Sequence, residues 1–329
     1  MPLLDLSLDE LEQYRPDLVA PADLLQRWEA TLAAAREHDL DLAVVPVDAG
    51  LIALETFDVT FAGFGGDPIK AWYVRPRGVT GPLPVVVEYN GYGGGRGLVH
   101  ERLFWAAAGY AHLFMDTRGQ GSGWGSGGVT ADRSGEAGGP SHPGFMTRGV
   151  LDFDTYYYRR LITDAVRAVD AARGLPGVDP ERVVVAGGSQ GGGLALAVSG
   201  LVQGLSAVLA DVPFLCHIRR GVETSETDPY AEVARYLAVH RGHIDQVFRT
   251  MAYVDGVHLG ARATAPALFS VALMDPICPP STVYAAYHAY GGPASVEIYP
   301  FNGHEGGQGH HQVRQLAWLR TVLGEPSGG

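Results

Sequence analysis

Three side chains suited to nucleophilic acyl chemistry follow one another along the chain: Ser189, Asp275 and His304. Ser189 lies in Gly187-Gly188-Ser189-Gln190-Gly191, a G-x-S-x-G motif. The apolar run Arg182–Ala186 precedes it, and a helix-forming run, Leu194-Ala-Leu-Ala197, follows. That context predicts a sharp strand-to-helix turn, which lifts the serine hydroxyl above a sheet. A serine hydroxyl is a poor nucleophile until a base removes its proton. His304 is the expected base and later the acid that protonates the leaving alcohol. Asp275 is expected to fix the imidazole tautomer and to stabilise the imidazolium. The order Ser, acid, His is the one this turn requires, with the acid after a later strand and the His after the last. Asp211, which also ends an apolar run, is the second choice of acid and comes one strand too early.

A tetrahedral intermediate needs two donors aimed at its oxyanion. The backbone N–H of Gln190, next after the nucleophile, is one candidate. The loop Asn90-Gly91-Tyr92-Gly93-Gly94-Gly95 supplies the other, assigned to the Tyr92 N–H. Other motifs fall short. Gly123-x-Gly125-x-x-Gly128 has the spacing of a dinucleotide loop but no clear helix after it. Lys70 is the sole lysine and does not follow glycine, which excludes a Walker A loop. His304-Glu305 with His310 and His311 suggests a metal cluster, but the zinc motif needs His where Gln308 stands. No metal and no cofactor are expected.

These residues require a sheet to carry them. Phe57–Phe61 and Ala71–Arg75 alternate apolar and polar residues around a Gly/Pro-rich loop, which predicts two antiparallel strands. Further on, short apolar runs alternate with helical segments. The runs are 84–89, 111–116, 182–186, 207–211, 267–273 and 296–299. The helices are expected near 97–108, 159–173, 190–203, 279–290 and 310–323. Such alternation predicts an α/β fold with a mostly parallel sheet of about eight strands and helices on both faces. Residues 1–40 read as a helical arm, with Leu24, Leu25, Trp28 and Leu32 at helical spacing. Residues 212–264 read as a helical insertion over the active-site end, and residues 117–158 as a Gly- and aromatic-rich stretch. No repeat or linker interrupts the chain, so residues 1–329 are expected to form one domain.

Composition narrows the class. The 329 residues are 46% hydrophobic and carry a net charge of −12. Such an acidic surface argues against nucleic acid and anionic membranes as partners. Two cysteines, Cys216 and Cys278, make no disulfide framework and read as reduced structural thiols. The N-terminus lacks a basic region and a long apolar one, so no signal peptide is expected and the protein is read as cytoplasmic.

At these residues the chain resembles the acetyl xylan esterase and cephalosporin C deacetylase group, carbohydrate esterase family seven, of the α/β-hydrolase superfamily. The resemblance rests on Arg118-Gly119-Gln120, on Gly187-Gly188-Ser189-Gln190-Gly191 and on His304-Glu305. The runs Asp275–Thr282 and Pro213–Arg220 also look like family segments. One departure is Asn90, where the family pattern has His before Gly-Tyr. The resemblance implies a serine esterase that deacetylates small acetylated sugars and cephalosporin C. It also implies a homohexamer with its sites facing an internal cavity. Arg118 and Gln120 are expected to organise loops, with Arg118 pairing a carboxylate such as Asp116. The alternatives are a serine peptidase, another carboxylesterase or lipase on the same fold, or a binding protein that kept the fold without catalysis.

Overall fold

The computed structural model describes residues 5–133 and 143–324. Residues 134–142, within the Gly- and aromatic-rich stretch, and residues 1–4, at the start of the N-terminal arm, lie outside the described residues. The described strands are β1 Ala43–Val47, β2 Leu54–Ala62, β3 Pro68–Pro76, β4 Leu83–Tyr89, β5 Ala111–Met115, β6 Val178–Gly188, β7 Ala207–Asp211, β8 Ala267–Ala272 and β9 Ala294–Tyr299. They form one sheet in the order β1-β2-β3-β5-β4-β6-β7-β8-β9. The pairs β1–β2, β2–β3 and β3–β5 are antiparallel. From β5 to β9 every pair is parallel. The helices are α1 Leu8–Gln13, α2 Leu24–Arg36, α3 Phe104–Ala107, α4 Tyr157–Arg173, α5 Gln190–Leu201, α6 Ile218–Thr224, α7 Tyr230–Val239, α8 Ile244–Ala252, α9 Gly256–Gly260, α10 Pro280–Ala289 and α11 Gln308–Val322.

The period of two along a strand sorts side chains between two cores. Val85, Val87 and Tyr89 of β4 join Val183 and Val185 of β6 in the larger one, with Leu161 and Ala165 of α4 and Leu194 to Val198 of α5. Val86, Val184 and Ala186 face the other way, onto Trp105 of α3 and Leu319 of α11. Helix α5 is buried on every side from Gln190 to Gly200, which explains its uniformly small and apolar sequence. Sheet and two helical layers match the α/β-hydrolase expectation.

Two elements differ from the sequence expectation. β1 makes nine strands rather than about eight. Its sequence contains Pro46, which lacks the N–H an inner strand needs. The strand sits at the edge, where only one side must pair. The helix expected over 97–108 is instead a 3-10 turn, Val99–Glu101, and the four-residue α3. Gly109 stops α3 with a φ of 102°.

The insertion is helical as expected and supplies α6 to α9. The N-terminal arm packs on the same chain. Trp28 of α2 is fully buried, donates Nε1–H to the Tyr253 carbonyl at 2.8 Å, and meets the Phe153 ring edge-on at 5.3 Å. Among the described residues no helix is long and apolar enough to cross a membrane.

The sheet order reverses at β4, with β5 on one side and β6 on the other. At such a point the two following loops diverge to opposite faces and leave a crevice at the carboxyl edge. Tyr89 lies opposite Gly187 in register, so the Asn90–Gly95 loop and the Ser189 turn leave the sheet side by side. This junction is tight. A Cβ on Gly191 would press into the Tyr89 carbonyl. Gly191→Ala is therefore expected to lose about 1–3 kcal/mol from overpacking. A urea midpoint equal to the parent's would show that the two strands have slack to part.

Candidate active site

Ser189 adopts φ 57° and ψ −120°, a conformation L-residues avoid. Such strain costs on the order of 1–3 kcal/mol and persists only where the surroundings impose it. Here the Ser189 N–H donates to the Asp211 carbonyl at 2.9 Å. Its own carbonyl accepts from Gly193 at 3.0 Å and from Phe214 at 2.9 Å. The end of β7, the loop after it and the first turn of α5 thus hold the turn, and the absence of Cβ atoms at Gly187 and Gly191 lets the chains cross. The Ser189 side chain lies beside the Cys278 thiol.

Asp275 follows β8 and His304 follows β9. The two are 29 residues apart and meet at 2.8 Å, Asp275 Oδ2 to His304 Nδ1. The other carboxylate oxygen accepts the backbone N–H groups of Ile277 at 2.8 Å and Cys278 at 2.9 Å. Asp275 is thus buried yet satisfied, with one oxygen fixed by its own loop and the other aimed at the imidazole. The His304 side chain keeps 24% exposure. It lines a cavity of about 310 Å³ together with Ser189, Gly188, Asp211 and Glu305.

Asp211 is committed elsewhere. It accepts from His311 Nε2 at 2.8 Å and from Gln315 Nε2 at 2.8 and 2.9 Å. The Tyr299 hydroxyl occupies the other His311 nitrogen at 2.9 Å. The cluster suggested by His304, Glu305, His310 and His311 does not form around His311. Glu305 is exposed and accepts from Asn302 at 3.0 Å. Among the described residues, one group has metal-compatible donors close together: Asp275, Cys278 and His304. Both cysteines are buried and unpaired.

The loop after β4 is tied to the Ser189 turn by buried amides. The Gln190 side chain donates to the Asn90 carbonyl at 3.2 Å and accepts from Gln120 Nε2 at 2.9 Å and from the Tyr158 hydroxyl at 3.0 Å. Gln120 Oε1 accepts the Gly93 N–H at 2.7 Å. Asn90 clamps its own loop, donating to the Gly95 carbonyl at 2.6 Å and accepting from Gly91 at 3.0 Å. Among the described residues, the backbone N–H groups of Tyr92 and Gln190 find no acceptor. A backbone N–H with no protein acceptor is open to a ligand or to water.

The Tyr92 ring meets Phe145 and Phe214 edge-on, at 5.8 and 6.3 Å between centroids. Its hydroxyl lies 2.8 and 2.7 Å from the two Glu232 oxygens and accepts from Phe145 N–H at 2.8 Å. Burial raises the Glu232 carboxyl above its ordinary range, against the pull of that hydroxyl. Burial and the neighbouring Glu232 charge push the Tyr92 phenol up, so it stays a donor. Trp124 lies over the loop and donates Nε1–H to the Tyr92 carbonyl at 2.6 Å. Glu232 and Trp124 escaped sequence reasoning. They contact Tyr92 from 140 and 32 residues away, and no local pattern marks them.

Arg118 does not pair with Asp116. It is wholly buried and grips Asp164 of α4 through Nε and, at 2.7 Å, Nη2, with Asp67 at 3.1 Å. The Asp116 carboxylate instead accepts the N–H groups of Arg96 at 2.7 Å and of Val129 and Thr130 at 2.8 Å. Asp116 lies too near its own backbone turn to meet a guanidinium two residues on. Arg118 thus fixes its loop to α4, and Gln120 two residues later reaches Gln190.

Comparison with known proteins places these features in a family. The family model described as acetyl xylan esterase (AXE1) matches residues 1–322. Acetyl esterase Axe7A of Xylanibacter ruminicola is 27% identical over 320 residues, covering 95% of this chain and 70% of that protein. The acetyl xylan esterase from Paenibacillus sp. R4 superposes with a TM-score of 0.88 at 39% identity, over 98% of this chain and 100% of the other. Acetyl xylan esterase 1 from Thermoanaerobacterium sp. JW/SL YS485 gives 0.86 at 29% identity, over 97% and 99%.

Removing one partner of a buried ion pair strands the other charge, at a cost of about 3–5 kcal/mol. Arg118→Ala is expected to lose that much stability by denaturant unfolding, because Asp164 is left buried and unpaired. A loss under about 1 kcal/mol, the scale of a surface pair, would show that the Arg118–Asp164 pair does not hold the loop.

Proposed function

The chain belongs to the acetyl xylan esterase family, and from that membership we propose that it removes acetyl groups from small acetylated substrates through an acetyl-serine intermediate. It is a carboxylic ester hydrolase; xylo-oligosaccharides and cephalosporin C are the substrates proposed. The observation that carries this reading is the Asp275–His304 hydrogen bond at 2.8 Å beside the cavity that Ser189 also lines.

In this reading His304 Nε2 takes the Ser189 proton as Oγ attacks the ester carbonyl. Asp275 holds the proton on Nδ1, which leaves the Nε2 lone pair free. The Tyr92 and Gln190 N–H groups receive the developing oxyanion. Donors already held by the amide network need no reorganisation when the charge appears. The intermediate collapses, His304 protonates the departing alcohol, and the acetyl group stays on Ser189. Water then adds with His304 as base, and acetate leaves. Arg118, Gln120 and Glu305 touch no reacting atom in this scheme. Their part is to hold the loops.

The test uses p-nitrophenyl esters of rising chain length. Ser189→Ala is expected to lose at least about 10⁴-fold in kcat, and Asp275→Asn about 10³–10⁴-fold through the wrong tautomer. Turnover retained in Ser189→Ala would remove the nucleophile assignment. A preference for butyrate or longer over acetate would overturn acetyl specificity while leaving the serine chemistry in place.

A further inference from the structure

The esterase scheme uses Asp275 and His304 but leaves Cys278 idle. Yet a carboxylate oxygen of Asp275, the Cys278 sulfur and a His304 ring nitrogen all lie within 4.8 Å of one another. The thiol is unpaired, buried and beside the Ser189 side chain. Thiolate, imidazole and carboxylate are zinc ligands, with bonds of about 2.0–2.3 Å. Tetrahedral ligands at those lengths stand about 3.3–3.8 Å apart, so the Asp275–His304 pair must open slightly from its 2.8 Å hydrogen bond while the sulfur closes in by up to about an ångström. Soft sulfur and borderline nitrogen favour zinc over magnesium. A thiolate and a carboxylate also cancel the ion's double charge, which removes most of the penalty for burying it.

We propose that Asp275, Cys278 and His304 form an inhibitory site for Zn²⁺, with the cavity beside Ser189 as the path to the fourth coordination position. This rests on the reading of His304 as general base. On binding, the Cys278 sulfur loses its proton to solvent and bonds the ion. The ion takes the His304 Nδ1 lone pair, the Nδ1 proton goes to solvent, and Nε2 gains a proton from solvent. One proton is released in all. The imidazole then carries its proton on Nε2 and has no lone pair there for Ser189. Zinc thereby fixes the tautomer opposite to the one Asp275 enforces. With three protein ligands and the fourth position left to solvent or substrate, the ion is expected to be cleared by a chelator.

The experiment uses the whole protein, freed of metal by dialysis against chelator. Zn²⁺ is titrated while p-nitrophenyl acetate turnover is followed, with Mg²⁺ as the hard-ion control. Each variant is scored against its own zinc-free rate. Cys278→Ala keeps the backbone N–H that holds Asp275 and removes only the sulfur. It is expected to raise the half-inhibiting zinc concentration by about tenfold or more. Co²⁺ provides a readout independent of activity: the parent and Ser189→Ala should each show a near-ultraviolet thiolate-to-cobalt band, absent from Cys278→Ala. Zinc sensitivity unchanged in Cys278→Ala overturns the site and points to surface histidines such as the stacked pair His240 and His243, 5.3 Å apart. A missing cobalt band in the parent overturns it as well. If Ser189→Ala keeps its turnover while the band forms, the catalytic reading fails and the metal site stands.

Discussion

The backbone of Ser189 is the constraint on which the remaining architecture depends. A residue with a side chain is held at φ 57° by three backbone hydrogen bonds. Two involve the loop that leaves β7, through the Asp211 carbonyl and the Phe214 N–H. The third closes the first turn of α5 on itself, from Gly193. No local preference of the sequence favours this conformation, so the sheet and α5 must impose it. That accounts for the severity of packing there: β4 and β6 pressed together at Tyr89 and Gly187, glycine wherever a Cβ would enter a neighbouring carbonyl, and a helix buried on all sides behind.

Around that turn, polar groups are buried in a chain with few gaps. Hydrogen bonds among Gln190, Gln120 and the Asn90–Gly93 loop tie together the two loops that carry the Tyr92 and Gln190 N–H groups. Arg118 fixes the far end of the Gln120 loop to α4 through Asp164. Glu232 reaches in from α7 and fixes the Tyr92 ring. A buried polar network that is only half satisfied is worse than an apolar core. This one is closely satisfied, and the backbone N–H groups of Tyr92 and Gln190 are left without an acceptor among the described residues.

Much of this was legible in the sequence because it is written in local patterns. The apolar runs, the glycine-flanked serine and the position of Asp275 and His304 after successive strands are all short-range features. The Ser189 turn, the parallel sheet and the helical insertion followed from them. What escaped was of two kinds. β1 and α3 are marginal elements whose existence depends on what they pack against. Pro46 masks the first, and the second fills only Phe104–Ala107 of the helix expected over 97–108. The partners of Arg118 and Tyr92 lie 46 and 140 residues away, and pairing across such a distance leaves no trace in spacing. Asp116 was the nearer choice in sequence, but an acid two residues off is better placed to cap its own turn.

The choice between Asp211 and Asp275 shows how strand order decides chemistry. Asp211 ends β7 and Asp275 lies in the loop after β8, and each holds a histidine at 2.8 Å. β7 lies directly beside β6, so the Asp211 carboxylate emerges under the Ser189 turn and meets the first residues of α11. Through His311 and Gln315 it anchors that helix. β8 is one strand further out, and its loop runs on to residue 275 before turning back. That distance lets the Asp275 carboxylate reach the His304 imidazole, at 2.8 Å from Nδ1. The segment bearing His304 is therefore held twice, by Asp275 at the ring and by Asp211 on the helix that follows. The imidazole keeps its Nδ1 on Asp275 at 2.8 Å, and neither aspartate could take the other's part without moving a strand.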